Sequence, residues 1–399
     1  MAAETTTSLS NFLVDMLGPL QENFPKRTVL QDELKRNTKK SNFVGRQVRI
    51  PILIAPKQGT GGIAETGTLN VARQLDDRAA YVTMGRVTHA IELSEDVLRA
   101  VQSRDFVYAG DALKLHMDQA ETAMSRVENE MLNGAGDALL AAVTSATTNS
   151  TTVYVGTTAN FYQLYVGRIL DVINRSGGTT VSLARQITAQ SESAGTVTFD
   201  AAVTVTTADG LYIEGTYGNA VQGIRQAMAT SGTFQGVDLS ANSWFRSIDG
   251  RGTTAAADLS MSIMDGAYRR VMAASGGAPD FWLGDPAVID KFGQGLVSQF
   301  RWQPKITRLN TGWEGIDYRG TPLIPELDAP AGEITGVNKS VLTLYSYNGK
   351  GPDWDDRTGN KFQRFSRALP VEAWLVDFLQ LGIHNPQGIV RIANLNRAS

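Results

Sequence analysis

Residues 105–134 constrain this chain more than any other stretch. Phe106, Leu113, Met117, Ala120, Met124, Val127 and Met131 follow one another in steps of three, four or seven. On a helix of 3.6 residues per turn, that spacing gathers them into one apolar stripe. Asp105 offers an N-cap acceptor and Asn133-Gly134 a C-cap. At 1.5 Å per residue the rod is about 45 Å long. Off the stripe stand Asp111, Lys114, Asp118, Glu121, Arg126, Glu128 and Glu130. The pattern predicts a beam, with an apolar face laid on a sheet and an acidic face open to something basic.

The totals narrow what such a beam could serve. A chain of 399 residues can hold roughly two or three domains with a sizeable core. Lys+Arg is 37 against Asp+Glu 40, a net charge of −3, which argues against a dedicated nucleic-acid binder. There is no cysteine, so neither a disulfide framework nor a thiolate metal site can form. The N-terminus lacks the basic-then-apolar pattern of a signal peptide. No apolar run approaches the ~18–20 residues of a membrane span, so a soluble protein without a membrane partner, made in a cytoplasm, is expected.

In chain order, residues 1–45 read as a polar arm. Leu9, Phe12, Leu13, Met16, Leu17 and Leu20 fit a short amphipathic helix limited by Pro19, and Lys35, Arg36, Lys39 and Lys40 form a solvated basic cluster. Residues 46–93 read as a long hairpin. Val48, Ile50, Ile52 and Ile54 alternate on the outgoing strand, and Val87, His89, Ile91 and Leu93 on the return. Pro51 cannot donate to a ladder and marks an edge. The polar, Gly-rich stretch 58–78 between them is long for a tip and predicts an interaction loop.

Beyond the helix, residues 141–158 are rich in Thr, Ser and Ala and read as a linker. Strand candidates follow at 162–166, 168–173, 180–190, 196–199 and 210–214, separated by turns such as Asn174-Arg175-Ser176-Gly177-Gly178. They predict a small all-β barrel or sandwich inserted into the main fold. From Gly218 the pattern turns α/β. Asp258 is placed to cap a helix carrying Leu259, Ile263, Ala267 and Val271, and Asp285-Pro286 to start another. Phe281-Trp282-Leu283 is a buried strand, 318–325 an edge strand with a turn, 341–347 a strand, and 370–383 one long strand interior to a sheet.

Motifs for chemistry are missing. There is no G-x-S-x-G elbow, Walker loop or H-E-x-x-H. Gly59-Thr60-Gly61-Gly62-Ile63-Ala64 matches G-x-G-x-x-[GA], but Pro56 precedes it and no helix start follows, so it reads as a loop tip. His89, His116 and His384 are scattered and read as structural. Asp353, Asp355 and Asp356 resemble part of a calcium loop that Arg357 interrupts and no Glu closes. The expectation is a protein that is no enzyme and holds no cofactor or metal.

The order of parts carries more information than any motif. An arm, an extended hairpin, a long helix, an α/β domain and a late strand succeed one another. The late run includes Asp280-Phe281-Trp282-Leu283-Gly284-Asp285-Pro286, Tyr318-Arg319-Gly320-Thr321-Pro322-Leu323-Ile324 and Ala331-Gly332-Glu333-Ile334. This succession resembles the major capsid proteins of tailed bacteriophages, with the HK97-type fold. The resemblance implies an α+β chain divided as an N-terminal arm (1–45), an E-loop hairpin (46–93), a P-domain with its spine helix (94–143), an inserted β-rich module (144–217), an A-domain (218–345), P-domain return strands (346–385) and a C-terminal segment near the A-domain (386–399). It implies pentamers and hexamers of the chain itself, closing an icosahedral virion shell in the host bacterial cytoplasm around double-stranded DNA that it contacts weakly. A portal protein at one vertex, a separate scaffolding protein (the leader being short for a built-in scaffold) and a decoration or cement protein are its implied partners. Alternatives are an encapsulin-like shell around protein cargo and an α/β enzyme.

One expectation comes from charge. Residues 46–90 hold six basic and three acidic residues, and 105–134 two basic and six acidic. In the geometry the resemblance implies, the hairpin of one subunit lies over its neighbour. Arg73, Arg78 and Arg86 would then face Asp111, Asp118, Glu121 and Glu128 across the subunit interface. Some relatives cross-link a hairpin Lys to an Asn of another subunit, and Lys57 is the one candidate here.

Overall fold

A computed structural model describes residues 28–37, 39–43, 47–55, 62–63, 65–68, 76–93, 107–299, 306–308, 314–347, 352–356, 363 and 371–397. Among these, the α-helices are α1 (Val29–Asn37), α2 (Val107–Asn133), α3 (Met261–Ser275) and α4 (Pro286–Gln299). The beam is therefore real: α2 lies within two residues of the predicted bounds at each end. Ala120, Met124 and Met131 of its stripe are buried, and Met117 and Val127 pack against the same core.

The beam lies on the strand Val87–Leu93. Here the structure corrects the predicted hairpin. Val87–Leu93 does not pair with Gln47–Ala55 but with Val371–Asp377, in the order Asp353–Trp354, Val371–Asp377, Val87–Leu93. The return strand of the hairpin is Asp76–Thr83, with Val48 opposite Val82 and Pro51 opposite Ala79. Both segments have strand periodicity, so alternation alone could not choose the partner. Pro51 does sit in a two-stranded ribbon, where every strand is an edge. The predicted long final strand also divides. Val371–Asp377 is central in its sheet, while Leu379–Ile383 joins a different one, antiparallel to Leu342–Tyr347. The chain changes sheets at Phe378, the ring over which the Arg86 guanidinium stacks at 4.9 Å.

The arm is docked where it is described, not solvated. Val29, Leu30 and Leu34 have no exposed surface and pack on α2. Lys39–Phe43 then pairs in parallel with Leu342–Tyr347. Three apolar side chains on one short helix suffice to seat it, at roughly 1.5–3 kcal/mol for each fully buried side chain.

The inserted module is a six-stranded antiparallel sheet in the order Leu139–Ala142, Asp209–Ile213, Ile169–Asn174, Thr180–Ser191, Thr196–Val205, Thr147–Tyr154. Thr144 N donates to Tyr154 O at 2.8 Å and Ser145 bridges Tyr154, which joins the two outer strands and closes a barrel. The stretch read as a linker thus supplies the strand Thr147–Tyr154 and the end of Leu139–Ala142, and 162–166 is a series of turns. Polar Thr and Ser suit strands whose outer face is wet. Leu164, Leu170, Val172, Ile187, Val197 and Phe199 fill the interior as a core of their own.

The remaining chain forms a seven-stranded sheet, ordered Ile248–Asp249, Ile389–Ile392, Ile334–Val337, Phe281–Gly284, Thr321–Pro325, Glu314–Tyr318, Ile306–Arg308, whose core includes residues of α3 and α4. Asp285 caps α4 as predicted, accepting from Ala287 N at 3.0 Å. The cap of α3 is Ser260 rather than Asp258, which instead accepts from Lys291 at 2.8 Å and Asn396 at 2.7 Å.

The carboxyl end of α2 is sealed by backbone. A Cβ on Gly223 would meet the carbonyl oxygens of Met131, Leu132 and Gly134. We therefore expect Gly223→Ala to destabilise the fold by about 1–3 kcal/mol, read as a lowered midpoint in denaturant unfolding.

Candidate functional site: an exposed ribbon and helix face over a buried junction

The residues predicted to meet a neighbouring subunit divide into two groups. Arg78, Arg86, Asp118 and Glu121 are exposed, and Glu121 accepts from Trp354 Nε1 at 3.3 Å. Glu128 is not on the surface. It is wholly buried and accepts from the Gln31 side chain of α1. The acidic face of α2 therefore does not run its full length, because α1 and the barrel cover its last turns. Arg73 and Lys57 lie outside the described residues, as does the side chain of Asp111.

The ribbon carries a second surface feature. Ile50, Ala80 and Val82 anchor its base in the main core. Farther out, Leu53 is 56% exposed, and Tyr81 at the base is 44% exposed; Ile63, between the two strands in sequence, is 46% exposed. A two-stranded ribbon is marginal by itself, and exposed large apolar residues at its outer part favour contact with another surface.

Beneath the surface lies a junction of four elements that patterning did not reveal. On α2, Glu130 sits between two guanidiniums. Arg168 of the barrel grips it with both nitrogens, at 2.8 and 2.6 Å, and Arg126 approaches to 3.3 Å. All three side chains are buried. Burial works against the Arg168 charge, but the adjoining Glu130 carboxylate outweighs it and raises the pKa. Tyr165 lies under both arginines, with ring centroid distances of 5.6 and 5.5 Å. The barrel is bound further by Asn160, which donates to Leu327 O at 2.6 Å, and by Arg126, which donates to Tyr162 O at 3.1 Å.

The loop after Thr321–Pro325 completes the junction with two buried carboxylates, Glu326 and Asp328. The Asn129 amide of α2 donates to both, and Gln163 of the barrel to Asp328 at 3.3 Å. Leu30 N of α1 donates to Glu326 at 3.0 Å. Burial, and then the neighbouring negative charge, push both carboxyls well above the usual carboxylate range. Asn129, Arg168, Glu326 and Asp328 could not be singled out in advance, because they are up to 199 residues apart and share no motif.

The histidines keep structural surroundings. His89 is half-buried with its pKa lowered by burial, and His384 Nε2 lies 2.7 Å from Thr343 Oγ1. Among the described residues no group of three or more His, Cys, Asp or Glu side chains is placed to hold a metal, including around Asp353, Asp355 and Asp356.

By sequence, no family model and no curated protein matches the chain. Solved structures do match by shape. The capsid asymmetric unit of cyanophage A-1(L) superposes with a TM-score of 0.61 at 14% identity, over 98% of this chain and 99% of that one. The fold is that of the HK97-type capsid proteins. The holo-SrpI encapsulin complex from Synechococcus elongatus PCC 7942 is also similar, with a TM-score of 0.51 at 10% identity over 99% and 97% of the two chains. The HK97-type frame thus holds here with an arm, a ribbon and a docked barrel in one mixed α+β chain.

Removing one partner of a buried ion pair strands the other charge. We expect Arg168→Ala to cost about 3–5 kcal/mol in unfolding free energy, and replacement of all three charges together, Arg126→Met, Glu130→Leu and Arg168→Met, to cost less than that single change. An equal or larger loss in the triple variant would show that the ion pairing is not what holds the barrel.

Proposed function

We propose that this chain is the major capsid protein of a tailed double-stranded DNA phage, assembling through pentamers and hexamers into an icosahedral shell around the genome. The observation that carries the reading is the end-to-end likeness of fold to the cyanophage A-1(L) capsid subunit. The role is structural, and the virion capsid is its location. A portal protein at one vertex, a separate scaffolding protein, a decoration or cement protein and weakly held DNA are the partners of such a shell. The near-neutral charge suits a container, which needs only light contact with its contents.

The exposed part of the ribbon is where a neighbouring subunit would be met. Arg73 and Arg78 of the hairpin, Arg86 just past its return strand and stacked on Phe378, and Asp111, Asp118 and Glu121 on α2 form the proposed complementary charges, with Glu128 removed from the set by its burial. Exposed pairs of this kind steer encounter more than they stabilise it.

The encapsulin likeness supports a second reading, a shell around protein cargo. Sedimentation and negative-stain microscopy of the purified protein distinguish a shell from a soluble enzyme: megadalton particles or ring-shaped capsomers support the proposal, and a monomer alone overturns it. DNA or protein recovered from shells isolated from their natural source decides between phage and encapsulin. We further expect charge reversal at Arg73, Arg78 and Arg86 together to slow assembly at low salt and to matter little at high salt, followed by light scattering. Identical assembly traces at low salt would remove the steering role.

A further inference from the structure

The junction contains more buried carboxylate than the described cations neutralise. Glu130, Glu326 and Asp328 are buried together. Arg168 and Arg126 both converge on Glu130. Asp328 keeps only a loose contact, 3.7 Å from Arg126. Glu326 has no ion pair among the described residues and relies on Leu30 N, Asn129 Nδ2 and Asp328 N, at 3.0, 3.3 and 3.3 Å. One amide, that of Asn129, bridges the two carboxylates. A buried pair of like charges so placed is relieved most simply by a proton.

A cleft of about 380 Å³ lies beside the pair, lined by Glu130, Gln163, Asp328, Arg225 and Glu333 among others. Asp328 borders it, but its carboxylate stays covered. The other charged groups around the pair are already engaged: Glu33 of α1 with Lys339, Glu128 with Gln31, and Glu333 with Arg225 and Arg391.

We propose that Glu326 and Asp328 form a proton-operated latch: with a proton on the pair, α1 and the barrel are held together on α2, and loss of that proton loosens both. The two consequences share one cause, because α1 and the barrel cover the pair and withhold the water its charged form needs. The bonds they donate, Leu30 N to Glu326 and Gln163 Nε2 to Asp328, favour that charged form and offset the loss only in part. Both carboxyls titrate higher in the folded chain than in an unfolded one. The folded chain therefore binds more protons across that interval, and its stability falls as pH rises through it. The contribution is complete below the unfolded carboxyl range and gone once pH has passed the folded pair.

The latch is a property of the subunit and stands apart from the shell reading. Hydrogen–deuterium exchange on the full-length protein, corrected for the intrinsic pH dependence of exchange, tests it. Protection of α1 and of residues 160–168 should fall by up to about tenfold per pH unit between mild acid and neutral pH. Glu326→Gln and Asp328→Asn should each flatten that slope, while Asp258→Asn, a change at an exposed carboxylate outside the junction, should leave it intact. If one junction variant does not fold, the wild-type profile and the other variant decide. A flat wild-type profile, an unchanged slope in the junction variants, or a slope lost equally in Asp258→Asn would overturn the latch.

Discussion

Glu130 is the constraint on which the arrangement turns. A carboxylate taken fully out of water costs several kcal/mol unless charges and donors replace its hydration. It lies on α2, which supplies only part of that replacement itself. Arg126 comes from the same helix one turn earlier, and Arg168 comes from the barrel. The barrel cannot leave its seat without stranding both charges, and the turns Asn160–Gln163 cannot move without releasing the loop that holds Glu326 and Asp328. One buried acid thus fixes an insertion, a loop and a helix relative to one another.

That arrangement separates two kinds of surface on α2. Its last turns are internal, bonded to α1, the barrel and the loop. Asp118 and Glu121 remain outside. The ribbon shows a similar division, with Ile50, Ala80 and Val82 anchored in the core and Leu53, with Ile63 between its strands in sequence, left in water. The chain thus has covered crossings between its elements and exposed apolar side chains beyond them, on a fold of the HK97 type.

Much of this was legible in the residues. The heptad-like steps of 105–134 gave the beam, since a stripe of that length has few other solutions. Turn chemistry and alternation gave a β-rich insertion, and Asp285-Pro286 gave a helix start. Other readings failed for identifiable reasons. Val87–Leu93 and Asp76–Thr83 are both good strands, and which one returns to Gln47–Ala55 depends on long-range pairing with Val371–Asp377. The stretch 141–158 looked like a linker because the outer face of a small barrel is Thr-rich. The acids of α2 looked exposed because a helical wheel shows which side a residue occupies, not what else covers that side.

By itself, then, the sequence determined the local elements, the order of parts and the absence of recognisable catalytic motifs, because periodicity, capping and composition act over a few turns of chain. Only the tertiary structure decided which strands pair, where the arm docks, and that Glu128 and Glu130 are internal. It alone brought Asn129, Arg168, Glu326 and Asp328 to one place. Burial and charge balance are properties of the space between segments, and no local pattern encodes the identity of the neighbour that fills it.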